Sequence, residues 1–323
     1  MRALPLLLCA FIAGAPLLAV AQTEGYPSRP IHFVVANAAG GGEDSTARTL
    51  AAKLSIGLGQ QIVIDNRAGA AGTIAAEITA KAPADGYTMM MGSVGALAVN
   101  QSINKLLGYN PQRDFAPVGL AVTQSNILVV NPAVPARSVR ELIALEKAHP
   151  GKLTFGSSGS GNTGHLAGEL FKSLAKVDMV HVPYKGGAAA ILDLIGGRID
   201  LVFSSAAPAL PQIAAEKIRA LAVTTLKRSS LLPDLPTIAE SGLPGYEAIN
   251  WYGIVVPIKT PPAAIQRLNA ELVRALNAAD VKAALFKQGL DAAPGSSQEF
   301  GALMRNEAIK WAKVVKDAGI TAD

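Results

Sequence analysis

Along this chain, short runs of apolar residues alternate with stretches of helical spacing. Residues 31–36 read as a buried strand, after which Ala47, Leu50, Ala51, Leu54 and Leu58 recur at the spacing of one helix face. Residues 62–64 form a second strand, and the loop Ala68-Gly69-Ala70-Ala71-Gly72 leads into a helix that runs through Lys81. Residues 87–91 make a third strand. This β-α-β-α-β order predicts a parallel sheet with helices on both faces.

A second unit begins near Ile127. Residues 127–130 are a strand, and Ser138 with Glu141 reads as a capping box for a helix carrying Val139, Leu142 and Leu145. The pattern continues with a strand over 153–155, a helix over 163–174 and a strand over 179–182. A helix over 188–195 and strands over 199–203 and 218–224 complete the unit. After Pro233, Pro236 and Pro244 the chain enters a strand at 249–256 and ends in three helical segments. The last has a capping box at Ser296 and Glu299 and an apolar face of Phe300, Leu303, Met304, Trp311 and Val315. Two such units without a long linker predict an α/β protein of two lobes sharing crossing strands near Ser125-Asn126 and Ala248-Asn250. Lobe one then takes residues 26–125 plus 250–323, lobe two takes residues 126–249, and the terminal helices pack back on lobe one.

The first residues set the compartment. Met1 and Arg2 precede an uncharged apolar run over 3–20 that ends in Ala19-Val20-Ala21, the small-x-small pattern of a signal-peptidase site. Residues 1–21 are therefore expected to be a signal peptide, with a mature periplasmic chain beginning at Gln22. Pro5, Gly14 and Pro16 make the same stretch a poor membrane anchor. Cys9 is the only cysteine, which leaves the mature chain without disulfides, cysteine–zinc sites or thiol nucleophiles. Only 16% of residues are charged, the net charge is +5, and Lys227-Arg228 is as dense as the basic residues become. No nucleic-acid surface is indicated.

The chemistry concentrates in loops. Gly159-Ser160-Gly161-Asn162-Thr163-Gly164 follows a strand, precedes a helix and fits G-x-G-x-x-G. The next strand, however, ends in Val182-Pro183-Tyr184-Lys185, without the acid that would hold a ribose. No nucleotide cofactor is expected. Ser157, Ser158, Ser160, Asn162 and Thr163 instead crowd small donors at a helix start, where free N–H groups and the dipole favour an anion. A similar loop, Asn37-Ala38-Ala39-Gly40-Gly41-Gly42-Glu43, follows the first strand, and Gly92-Ser93-Val94-Gly95 follows the third. Loops of this kind at the carboxyl ends of parallel strands, divided between two lobes, point to a ligand cleft.

Catalytic readings are weaker. Gly156-Ser157-Ser158-Gly159-Ser160 departs from G-x-S-x-G at its last position, and His32, His149, His165 and His181 show no metal-ligand spacing. Ser158 with His165 is the one hydrolase pairing to weigh, against a capping or packing role for His165. Trp251 and Tyr252 are either core or a cleft wall. Glu43 either serves the helix dipole from solvent or faces the cleft, where a second ligand carboxylate would be disfavoured.

From Tyr26-Pro27-Ser28-Arg29-Pro30 to the last helix the chain resembles the substrate-binding receptors of tripartite tricarboxylate transporters, often called the Bug family. The stretches that carry the resemblance include Gly40-Gly41 with Asp44, Asp65-Asn66-Arg67-Ala68-Gly69 and Asp85-Gly86-Tyr87-Thr88. Gly156-Ser157-Ser158-Gly159, His165-Leu166-Ala167-Gly168-Glu169 and Val182-Pro183-Tyr184-Lys185-Gly186-Gly187 are its strongest segments. The resemblance implies a two-lobed type II periplasmic binding fold and a monomer that holds a small organic carboxylate in the interlobe cleft. It implies no enzymatic activity, cofactor or metal. Delivery to the membrane permease of a tripartite transporter is the implied role, with signalling to a sensor kinase as the alternative.

Ligand contacts carried over from the family fall on Asn37, Ala38, Gly40 and Gly41, on Ser93, and on Ser157, Ser158, Ser160, Asn162 and Thr163. Tyr184 joins them, as do Ser204 and Ser205, which stand where many members have Asp-Asn. Asn37 replaces a usual aromatic and Glu43 a usual Ser, Thr or Asn, so the family's habitual ligand does not carry over.

Overall fold

The computed structural model describes residues 25–321. The expected signal peptide and its cleavage point lie outside the described residues. In chain order the elements of the first part are β1 (Ile31–Val35), α1 (Gly42–Leu58), β2 (Ile62–Asn66), α2 (Thr73–Ala80), β3 (Thr88–Ser93), α3 (Asn100–Ile103), α4 (Pro111–Asp114) and β4 (Phe115–Ser125). Next come β5 (Ile127–Val130), α5 (Val139–Ala148), β6 (Thr154–Ser157), α6 (Thr163–Ala175), β7 (Val180–Pro183), α7 (Gly187–Ile195), β8 (Leu201–Ser204), α8 (Ala206–Ala214) and β9 (Arg219–Val223). The chain closes with β10 (Ile249–Pro257), α9 (Pro262–Asn277), α10 (Ala279–Lys287), β11 (Asp291–Ala292) and α11 (Ser297–Asp317).

Two sheets organise the molecule, in strand orders β11-β4-β10-β3-β1-β2 and β7-β6-β8-β5-β9. The parallel sheet expected for the first unit holds for β2, β1 and β3 only. β10 lies between β3 and β4 and runs antiparallel to both. The reason is connectivity: β10 returns from the second lobe, enters the first sheet at the end where β3 and β4 leave it, and runs away from that end. In the second sheet β6, β7 and β8 are parallel, while β5 is antiparallel to β8 and β9.

One face of the first sheet, with Ile31, Phe33, Val35, Met89 and Met91, packs on α1, α9 and α10 through Leu50, Leu54, Leu268, Leu272 and Leu285. On the other face Val34, Met90, Trp251 and Val255 belong to an apolar core that continues into lobe two through Leu128, Phe155, Leu166 and Phe171. The terminal helices do not pack on lobe one alone. Trp311 and Val315 of α11 join that shared core, and the neighbouring Tyr246 hydroxyl donates to Ala167 O of α6 at 2.9 Å. No helix among the described residues is long and apolar enough to cross a membrane.

The two crossings are tied together at Thr224. Asn126 N donates to Thr224 Oγ1 at 2.9 Å, and Thr224 N returns a bond to Asn126 O at 3.0 Å. Ala248 N donates to Thr224 O at 2.9 Å, and Ile249 opens β10 beside Ser125. The α11 capping box is present, with Glu299 N on Ser296 Oγ and Ser296 N on Glu299 Oε2. At α5 only half of one forms. Ser138 caps Glu141 N, but the Glu141 carboxylate takes Arg137 N, one residue earlier.

Candidate ligand-binding site

A cleft of about 830 Å³ opens between the lobes at the carboxyl ends of β1, β3 and β6. In lobe one its wall begins with Ala36, Asn37 and Ala38. Asp44 shapes this loop: its carboxylate accepts from Gly40 N at 2.8 Å, Arg48 Nε at 2.9 Å and Asn66 Nδ2 at 2.9 Å. The hydrogen bond from Arg48 holds the Asp44 carboxyl down to about 2. Asn66 Nδ2 also lies 3.0 Å from Asn37 O, which fixes the bend. Gly41 leaves room for the Asn37 side chain, because a Cβ on it would sit 2.5 Å from Asn37 Oδ1.

Lobe two supplies Ser158, Ser160, Gly161, Asn162 and Thr163 at the start of α6. Asn162 is the N-cap, its Oδ1 accepting from His165 N at 3.0 Å, while its Nδ2 is buried without a partner among the described residues. Gly161, at φ 74, turns its N–H onto His165 Nδ1 at 2.9 Å. His165 therefore accepts at Nδ1, and its Nε2 faces Glu169 at 3.8 Å. Burial pushes both His165 and His181 down to about 4; the charge of Lys172 is a lesser cause for both, and that of His181 a further one for His165.

The hydrolase pairing of Ser158 with His165 is not assembled. No hydrogen bond joins the two among the described residues, and Gly161 N occupies the imidazole nitrogen that would act as base. The serine that does meet a histidine is Ser157, 2.7 Å from His181 Nε2, and it is 1% exposed. Nor is any group of three or more His, Cys, Asp or Glu placed to hold a metal ion among the described residues.

Of the residues proposed from sequence, Asn37, Ala38, Ser93, Ser158, Ser160, Asn162 and Thr163 line the cleft. Six others are not among its lining residues. Gly40 and Gly41 shape the loop behind Asn37, and Ser157 is locked between His181 and the Gly159 backbone. The Tyr184 hydroxyl donates to Asp193 Oδ2 at 2.8 Å, Ser204 is buried with its hydroxyl on Ser205 O, and Ser205 begins α8.

Other residues line the cleft as well, among them Tyr252 and Glu43, for which the sequence left a cleft position as one of two alternatives. Tyr252 and Asn250 reach the cleft while Trp251 between them is 1% exposed and packs edge-on against Phe300. Strand alternation carries this signal, since residues two apart share a face. Asn100 and Ile103 line the wall from a helical segment over 95–103 that the apolar pattern does not mark, and Asn104 lines it from the position that caps the segment. Glu43 lines it too: it is 5% exposed and its Oε2 has no partner among the described residues. Burial pushes the Glu43 carboxyl up to about 7, against the smaller pull of the Ser93 hydroxyl and the Ala36 backbone.

Comparison with known proteins agrees with this architecture. Protein BugT of Bordetella pertussis is 36% identical over 310 residues, covering 96% of this chain and 95% of BugT. The solved structure of R. palustris Rpa4515 with adipate is 40% identical, with a TM-score of 0.76 over 92% of this chain and 99% of that one. MatC (Rpa3494) from Rhodopseudomonas palustris, with bound malate, is 31% identical with a TM-score of 0.73, over 90% of this chain and 100% of that one. The family model for the tripartite tricarboxylate transporter family receptor matches residues 46–320, so the chain belongs to that family of substrate-binding receptors.

Proposed function

We propose that this chain is a periplasmic receptor that captures a small organic carboxylate between its lobes and hands it to a tripartite-transporter permease, without transforming it. The observation that carries this reading is the start of α6 in the cleft. Ser158, Ser160, Asn162 and Thr163 gather there at the amino end of a thirteen-residue helix, and the lobe-one loop faces them. A helix start of that kind offers free N–H groups and a positive dipole end to an anion. The adipate and malate in the related structures are of the chemical class such a seat suits.

In this reading residues 1–21 direct export and are removed. Residues 26–125 with 250–323 turn against residues 126–249 about Ser125-Asn126 and Ala248-Asn250, so that closure brings the lobe-one wall onto the carboxylate. Native mass spectrometry of gently purified mature protein tests the core of the proposal. An organic acid should be retained, and calorimetry should show saturable binding of carboxylates. Protein that carries no acid and binds none across a broad carboxylate panel would sink it.

A further inference from the structure

Glu43 stands alone in the wall of the cleft. Among the described residues the lining holds no lysine, arginine or histidine, and no other carboxylate. At 5% exposure, Glu43 is not a surface acid serving the α1 dipole, although it occupies the first turn of that helix. Its neighbours are neutral: Ser93 at the end of β3, the Ala36 backbone after β1, and Tyr252 on β10. On its own helix the nearest charges are already spent on each other, Asp44 with Arg48. Glu43 Oε2 is thus a buried acceptor with no donor among the described residues. Such an atom costs free energy until a donor reaches it.

The two ends of the cleft therefore ask for opposite groups. Lobe two presents hydroxyls, an Asn162 amide with no partner among the described residues, and a helix start, all suited to a carboxylate. Lobe one presents an acceptor that can become an anion. A second carboxylate placed there would meet Glu43 in a site from which closure removes water, and like charges so placed cannot both remain ionised.

We infer that the cleft selects a ligand with one carboxylate and, at its far end, a hydrogen-bond-donating hydroxyl, amide or ammonium group received by Glu43. This rests on the carboxylate-receptor reading above and narrows it. A dicarboxylate enters only by bringing a proton with it, shared with Glu43.

Calorimetry on the mature protein at about pH 8 tests the inference with four matched straight-chain series: plain monocarboxylates, ω-hydroxy acids, ω-amino acids and dicarboxylates. Lengths of about three to eight carbons suit a cleft of this size. Within the best length, a donor-ended acid should bind about tenfold or more tighter than the plain acid and the dicarboxylate. Glu43→Gln should erase that lead, with folding verified by thermal melting. In the parent protein the dicarboxylate should gain affinity, with proton uptake, as the pH is lowered to about 6. This last measurement needs no variant.

A dicarboxylate that binds tightest at about pH 8, with the same order in Glu43→Gln, overturns the inference and leaves the receptor reading standing. Equal binding of plain and donor-ended acids does the same. Absence of binding by every series, in parent and variant alike, removes the carboxylate-receptor reading itself.

Discussion

His165 and His181 stack face to face behind the serine-rich turn, their ring centroids 3.7 Å apart and their planes 8° from parallel. His165 Nδ1 accepts from Gly161 N, and His181 Nε2 meets Ser157 Oγ, so the pair underlies both ends of the serine-rich turn. Two imidazoles at this distance suit the neutral state. Burial pushes each down to about 4, even though Glu169 faces one of them at 3.8 Å.

A loss of stability on acidification follows from this pair. Between the ordinary histidine value of 6.5 and about 4, the unfolded chain binds protons that the folded protein refuses, so stability falls as pH falls through that window. Glu43 works in the opposite direction, because the folded protein binds its proton more tightly between 4.5 and about 7. The two depressed histidines outweigh Glu43 and the smaller upward shifts that burial gives Glu169 and Glu247, and the melting temperature is expected to fall between pH 6.5 and pH 4. In Glu43→Gln the fall should be steeper, since one opposing group is gone. A melting temperature that rises on acidification would count against neutral, buried histidines.

Glu43 also carries a cost in the unliganded protein. Its carboxyl, ordinarily at 4.5, is held near 7 by burial, which corresponds to on the order of 3 kcal/mol against the ionised form at high pH. Glu43→Gln keeps the shape and removes that cost. Urea denaturation of the unliganded protein near pH 8 is expected to show a more stable variant, with the advantage vanishing near pH 4.5. A less stable variant at the higher pH would mean that ionised Glu43 has a favourable partner.

How much of this could be read from the chain alone varied with the kind of physics involved. β1, α1, β2, α2 and β3 announce themselves because each has one buried face or a short buried run. β4 does not. It is largely buried on both sides around Pro117 and Gly119, so it shows no alternation to read. α8 is masked by Pro208 and Pro211, and the insertion of β10 between β3 and β4 is a long-range pairing that no local period encodes. At the site, small donors clustered at strand ends were legible as types and places. Whether Glu43 faced solvent or the cleft was not, because an acid in a helix's first turn satisfies the dipole either way. Tyr184 and Ser204 looked available in sequence, but Asp193 and the Ser205 carbonyl engage their hydroxyls.

Thr224 offers a test of the crossing strands. Its Oγ1 receives the N–H of buried Asn126, and its backbone receives Ala248 N. Thr224→Val keeps the volume but strands the Asn126 N–H, a loss of about 1–3 kcal/mol. Chemical denaturation should show that loss, with the cooperativity of unfolding unchanged. A change under a few tenths of a kcal/mol would mean that another acceptor takes over and that the Thr224 hydroxyl does not help to tie the two crossings.

Ser157 and Ser158 are adjacent, yet the structure gives them separate tasks, and this yields the sharpest comparison. Ser158 lines the cleft beside the start of α6, and in the proposed function its hydroxyl donates to the ligand carboxylate. A hydrogen bond to a charged group contributes about 1.5–3 kcal/mol. Ser158→Ala is therefore expected to weaken carboxylate binding by about tenfold or more while leaving the melting temperature within a degree or two of the parent. Ser157 is 1% exposed and holds His181 and the Gly159 backbone. Removing its hydroxyl leaves a buried imidazole nitrogen without its 2.7 Å partner, so Ser157→Ala should lower stability by about 1–3 kcal/mol. Its effect on affinity should be smaller than that of Ser158→Ala, because it acts only through the set of the turn. Calorimetry and thermal melting on the two variants separate these roles. If Ser157→Ala abolished binding with its melting temperature intact while Ser158→Ala bound normally, the ligand's carboxylate would have to sit on the other side of the turn, deeper toward the histidine stack.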